Sequence, residues 1–120
     1  MPSEPHRILI ADDDPSLLDM LRMLFEEEKY EVVKARSVAG ALALLREAPV
    51  DLVLTDAFGP PGDALSATAE LRAACGDTPV VLLTAHIVPS EEAAEAGFAA
   101  VTLKPFDVDA LLEQVRQLLS

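Results

Sequence analysis

The chain has 120 residues, enough for one domain around one hydrophobic core, and the whole of 1–120 is expected to be that single domain. Nine basic against 21 acidic residues give a net charge of -12, which repels a phosphate backbone and argues against direct nucleic-acid binding. No apolar stretch approaches the roughly 20 residues that span a bilayer, and the N-terminus lacks a signal-peptide pattern, so no membrane association and a cytoplasmic location are expected.

Strand and helix patterns alternate along the chain. A first strand runs from Arg7 to Ala11. Asp14 is placed to cap a helix that opens at Pro15, a residue that loses no hydrogen bond in a first turn. Leu17, Leu18, Leu21, Leu24 and Phe25 give that helix its apolar stripe, and Glu26, Glu27 and Glu28 close it on a solvated face. The second strand, Glu31–Ala35, has the polar character of a sheet edge. Ser37 caps a helix reaching Ala48, with Ala41, Leu42, Leu44 and Leu45 inward, and Pro49 leads into the third strand. A third helix is expected from about Asp63, after the turn Gly59-Pro60-Pro61-Gly62, to Gly76. Cys75, the only cysteine, reads as a small apolar residue near that helix end. The fourth strand follows Pro79. Ser90-Glu91-Glu92 opens a short Ala-rich helix that Gly97 stops, and a fifth strand leads to Lys104. Asp107 caps a last helix with Val108, Leu111, Leu112, Val115, Leu118 and Leu119 at helical spacing. Five such units with right-handed crossovers predict a three-layer α/β/α sandwich on a parallel sheet.

Four apolar runs pass directly into polar residues: Ile8-Leu9-Ile10-Ala11 into Asp12-Asp13-Asp14, Leu52-Val53-Leu54-Thr55 into Asp56, Val80-Val81-Leu82-Leu83 into Thr84, and Ala100-Val101-Thr102-Leu103 into Lys104. In a parallel sheet these strand ends share one edge, where open α/β sheets bind ligands. Carboxylates, a hydroxyl and an ammonium gathered there suit a cation and an anion. Each residue also has a plainer reading. Asp14 is a helix cap, Asp56 alone is equally well a turn residue, and Thr84 alone is an ordinary strand residue. Lys104 alone is a solvated residue before a turn, but it is the only basic residue between Arg72 and Arg116 and so the natural counter-charge for the acids.

In this order, and over practically the whole chain, these marks resemble the receiver domain of two-component response regulators: Asp12-Asp13, Asp56, Thr84-Ala85 and Lys104-Pro105-Phe106. The resemblance implies strand order 2-1-3-4-5, as in the flavodoxin-like fold, and a cis Lys104-Pro105 bond. It implies that Asp56 accepts a phosphoryl group from a phosphohistidine on a sensor histidine kinase or a histidine phosphotransfer protein. It also implies Mg2+ held directly by Asp13 and Asp56, through water by Asp12, and by the backbone carbonyl of Phe58. Thr84 and Lys104 would each donate to a phosphoryl oxygen. The chain would then be a signalling domain rather than an enzyme, acting on a downstream partner or effector domain through altered affinity.

The sequence departs from the receiver pattern in three places. Gly59 stands where receivers usually carry methionine, and Ala64 stands for a glycine. Val101 replaces the usual aromatic, and the stretch from Thr84 to Gly97 is short. These motivate an alternative, a receiver-like interaction module whose output does not depend on phosphorylation. His86 reads as a surface loop residue, and a small phosphohydrolase is disfavoured because no second acid or cap is evident.

Overall fold

Short runs of Val, Ile and Leu bounded by turns become five parallel strands, and the amphipathic segments between them become the covering helices. The computed structural model describes residues 5–58, 68–85 and 87–119. The strands are β1 (Arg7–Ala11), β2 (Glu31–Ala35), β3 (Leu52–Asp56), β4 (Val80–Thr84) and β5 (Ala100–Leu103); the helices are α1 (Pro15–Glu27), α2 (Val38–Glu47), α3 (Ala69–Cys75), α4 (Ser90–Glu95) and α5 (Val108–Leu119). Sheet order is β2-β1-β3-β4-β5, as expected, with the more polar β2 at an edge.

Alternation along the strands divides the core in two. Ile8, Ile10, Leu52, Leu54, Val81 and Leu83 face Leu18, Leu21 and Phe25 of α1 and Leu111 and Val115 of α5. On the other face Leu9, Ala11, Val53 and Leu82 meet Ala41 and Leu42 of α2, Leu71 of α3 and Ala93 of α4. Phe25, Leu54 and Leu82 are among the side chains removed completely from water. Each such burial is worth roughly 1.5–3 kcal/mol over exposure, so the sheet is a rigid base for whatever its edge carries.

Local signals in the sequence set the helix starts. Asp14 Oδ1 accepts the N–H groups of Ser16 and Leu17 at 3.0 and 3.4 Å, Ser37 Oγ accepts that of Gly40 at 3.0 Å, and Asp107 Oδ1 accepts that of Ala110 at 3.1 Å. Burial pushes the Cys75 thiol up, which keeps it a buried apolar group. The expected start of the third helix near Asp63 lies outside the described residues, as do Gly59, Pro60, Pro61, Ala64 and His86. The described part of this helix ends at Cys75, before Gly76. Helix α4 has six residues, in keeping with the shortened stretch before Gly97.

Candidate functional site at the strand ends

The chain changes direction across the sheet between β1 and β3: β2 is added on one side of β1 and β3 on the other. A crevice opens at such a switch point beyond the carboxyl ends of the strands. Register fixes what stands around it. Ala11 pairs with Thr55, Asp56 with Leu83, and Thr84 with Leu103. Asp12, Asp56, Thr84 and Lys104 therefore occupy neighbouring positions along one edge.

Strand alternation continues Ile10 into Asp12 and Leu54 into Asp56, so both carboxylates lie on the face that α1 and α5 cover. Lys104 reaches them from the end of β5. Its Nζ donates to Asp12 Oδ2 at 2.7 Å and to Asp56 Oδ1 at 2.9 Å. Asp12 is almost fully buried, with 1% of its surface exposed, and its Oδ1 accepts the Asp14 N–H at 2.9 Å. Asp13 is exposed at the mouth. One carboxylate oxygen from each of Asp12, Asp13 and Asp56 lies within 4.8 Å of the other two. Thr84 is buried at the end of β4, and its carbonyl accepts the Lys104 N–H at 2.7 Å. The Lys104-Pro105 bond is cis, as the resemblance implied.

The electrostatics follow from this packing. Burial raises the Asp12 carboxyl above its ordinary value; the Lys104 hydrogen bond and the Asp14 N–H oppose that without cancelling it, and the Asp56 charge adds to it. Burial alone would pull the Lys104 ammonium down. The hydrogen bonds and charges of Asp12 and Asp56 outweigh it, and the ammonium ends above its ordinary value.

An all-oxygen cluster of three acids is the donor chemistry of a hard divalent cation, magnesium or calcium, rather than of a soft metal. The residues present therefore fit the ion that the resemblance implied. Asp12, Asp13 and Asp56 are the carboxylates that would hold it.

Sequence reasoning missed one feature of the site. Phe58 has a left-handed backbone, φ 51°, and its N–H donates to Asp56 Oδ2 at 3.0 Å. An aspartate two residues ahead of an N–H is the pattern of an Asx turn, so the signal was present in Asp56-Ala57-Phe58. Val101 is half-buried against the core face that Ala93 and Phe98 share. With Ala94, Ala99 and Ala100 these residues line a shallow groove of about 320 Å³ between α4 and β5.

Comparison with known proteins agrees with this geometry. The family model described as "Response regulator receiver domain" matches residues 8–116. The chain is 36% identical over 117 residues to the transcriptional regulatory protein GlrR of Escherichia coli (strain K12), covering 96% of this chain and 26% of that protein. It is 35% identical over 117 residues to the response regulator MprA of Mycobacterium sp. (strain KMS), covering 96% of this chain and 51% of that one. The chain thus spans between about a quarter and a half of the length of these curated relatives. Among solved structures, the chemotaxis response regulator CheY4 of Vibrio cholerae superposes with a TM-score of 0.82 at 25% identity, covering 96% of this chain and 99% of that one. The response regulator TrrA of Thermotoga maritima, solved in complex with Mg(2+)-BeF, gives 0.79 at 31% identity over 95% and 99% of the two chains. With the order β2-β1-β3-β4-β5, the acids after β1 and at the end of β3 and the lysine after β5 all in place, the chain belongs to the receiver domain family of two-component response regulators.

Proposed function

We propose that Asp56 accepts a phosphoryl group from a phosphohistidine on a sensor histidine kinase or a histidine phosphotransfer protein, and that the modified domain changes its affinity for a downstream partner. The observation that carries this reading is the convergence of Asp12, Asp13, Asp56 and Lys104 within hydrogen-bonding and ligand distance at one sheet edge.

A carboxylate is a weak nucleophile, so the chain must position it and offset charge on the transferring group. An oxygen of Asp56 forms a bond to phosphorus as the bond from phosphorus to the donor imidazole nitrogen breaks. That nitrogen keeps the electron pair and takes up a proton. Asp12, Asp13, Asp56 and the Phe58 carbonyl are the groups assigned to Mg2+, which when bound supplies charge neutralisation for the phosphoryl oxygens. Lys104 exchanges its place on the acids for one phosphoryl oxygen, and Thr84 donates its hydroxyl to another. The chain acts as a signalling domain that promotes only its own phosphorylation and dephosphorylation. The domain acts in the cytoplasm. Among the described residues no helix is long and apolar enough to cross a membrane.

The test is direct. Incubated with Mg2+ and acetyl phosphate, the wild-type chain gains one phosphoryl group by intact mass, and Asp56→Asn gains none. An unmodified wild-type chain under these conditions, or equal modification of the Asn variant, removes this reading.

A further inference from the structure

Asp56 is gripped at both oxygens, by groups of different kinds. Lys104 Nζ holds Oδ1 at 2.9 Å, and the backbone N–H of Phe58 holds Oδ2 at 3.0 Å. The second grip depends on a backbone conformation that bulky residues seldom adopt: φ at Phe58 is 51°. Lys29 is the other non-glycine residue with positive φ among the described residues, and it sits in an exposed turn. Phe58 instead lies directly beyond the nucleophile, with its ring half-buried against the core face of Leu9, Val53 and Leu82. Burying the ring offsets the unfavourable turn, and the turn aims the N–H at the carboxylate.

We propose that Phe58 is a positioning residue for phosphoryl acceptance: its left-handed backbone clamps Asp56 Oδ2 and keeps the carboxylate from rotating so that both oxygens engage Lys104. This role rests on the phosphoacceptor reading of Asp56. The clamp belongs to the backbone, and the ring is needed only because a side chain makes positive φ unfavourable. Glycine, which adopts positive φ freely, can therefore replace phenylalanine better than alanine can. A role in packing alone predicts the reverse, because glycine removes one more buried carbon than alanine.

The experiment compares Phe58→Gly, Phe58→Ala and Phe58→Val with wild type. It follows the rate at which acetyl phosphate and Mg2+ add a phosphoryl group, a step in which the Asp56 oxygen bonds phosphorus and acetate leaves with its electron pair. The metal-free readout is the amide-proton shift of residue 58 by NMR, compared with that in Asp56→Ala. The Gly variant keeps the carboxylate-dependent amide shift. Ala is slower than Gly, and Val, whose β-branch opposes this conformation, loses the shift and slows by at least about tenfold. If Val does not fold, the order of Gly and Ala decides alone. Gly slower than Ala, or a Val variant at wild-type rate without the amide shift, overturns the positioning role while leaving the phosphoacceptor reading intact. A wild-type chain that takes no phosphoryl group ends both.

Discussion

Lys104 and Asp12, 92 positions apart in the chain, meet through a 2.7 Å hydrogen bond between the lysine Nζ and the carboxylate Oδ2. The same ammonium holds Asp56, so one cation serves two of the three clustered acids. A divalent ion held by these acids would therefore compete with Lys104 for the same carboxylates. Two opposite charges about 4 Å apart attract by roughly 4 kcal/mol at an effective dielectric near 20, so neither partner is negligible.

Lys104→Met tests this competition. Methionine keeps much of the stem and removes the charge. The metal-free variant is expected to lose about 2 kcal/mol, because one largely buried and one partly buried acid lose their partner. Its Mg2+ affinity should rise by about tenfold or more as the cluster becomes more negative. A Tm series against Mg2+ measures both effects, since an ion that binds the folded state raises Tm by mass action. Equal Mg2+ affinity in variant and wild type would show that the lysine and the ion do not share ligands.

Asp12 supplies a prediction about pH. Its folded carboxyl is raised above the ordinary 3.8, so just above that value the folded state holds more proton than the unfolded one. Stability from this group therefore falls as pH rises through that window, and the charged form is a cost at neutral pH. The Lys104 shift has the opposite consequence: a raised ammonium contributes stability that is present below its ordinary 10.5 and is lost as pH climbs through the higher folded value. Asp12→Asn should accordingly raise the metal-free Tm at pH 7 and lose that advantage toward pH 4. It should also weaken the Mg2+ response. A metal-free Tm below wild type at pH 7 would mean that the carboxylate's bonds to Lys104 and the Asp14 N–H outweigh its burial.

How much of this was legible beforehand depended on the physical range of each signal. Strand positions and caps at Asp14, Ser37 and Asp107 are set by neighbours a few residues away, and they came through. So did the neighbouring strand-end positions of Asp12, Asp56, Thr84 and Lys104, because a parallel sheet fixes where every strand end lies. The pairing of Lys104 with Asp12 was only half visible. Charge isolation marked Lys104 as a counter-ion, but which carboxylates it reaches depends on strand order and on the two β1 acids splitting into a buried Asp12 and an exposed Asp13. The left-handed Phe58 was missed: Asp56 two residues ahead marks an Asx turn, but nothing in a phenylalanine asks for positive φ.

A second left-handed residue closes α1. The Tyr30 N–H bonds the Phe25 carbonyl at 3.1 Å and the Lys29 N–H bonds the Glu26 carbonyl at 3.0 Å, the Schellman pattern in which the left-handed position is usually glycine. Here it is Lys29, at φ 72°. Lys29→Gly should remove the steric cost and stabilise the domain by about 1 kcal/mol, raising Tm by several degrees. Phosphoryl acceptance should not change, because the turn lies at the amino ends of the strands, away from Asp56. A Tm at or below wild type would mean that the greater freedom glycine gives the unfolded chain outweighs the relief.

The same pattern closes α4 with the preferred residue. The Phe98 N–H bonds the Ala93 carbonyl and the Gly97 N–H bonds the Ala94 carbonyl, both at 3.0 Å, with Gly97 at φ 95°. A second constraint applies at this glycine: a Cβ added there would lie 2.7 Å from Arg72 Nη1 and 3.1 Å from its Cδ. Gly97→Ala should therefore cost more than the loss of positive φ alone, about 2 kcal/mol or more in urea unfolding. The two causes separate in a double-mutant cycle. In an Arg72→Ala background the side chain has room, and the cost of Gly97→Ala should shrink to about 1 kcal/mol, the conformational part. Strict additivity would show that the arginine moves aside freely and that backbone strain is the whole effect.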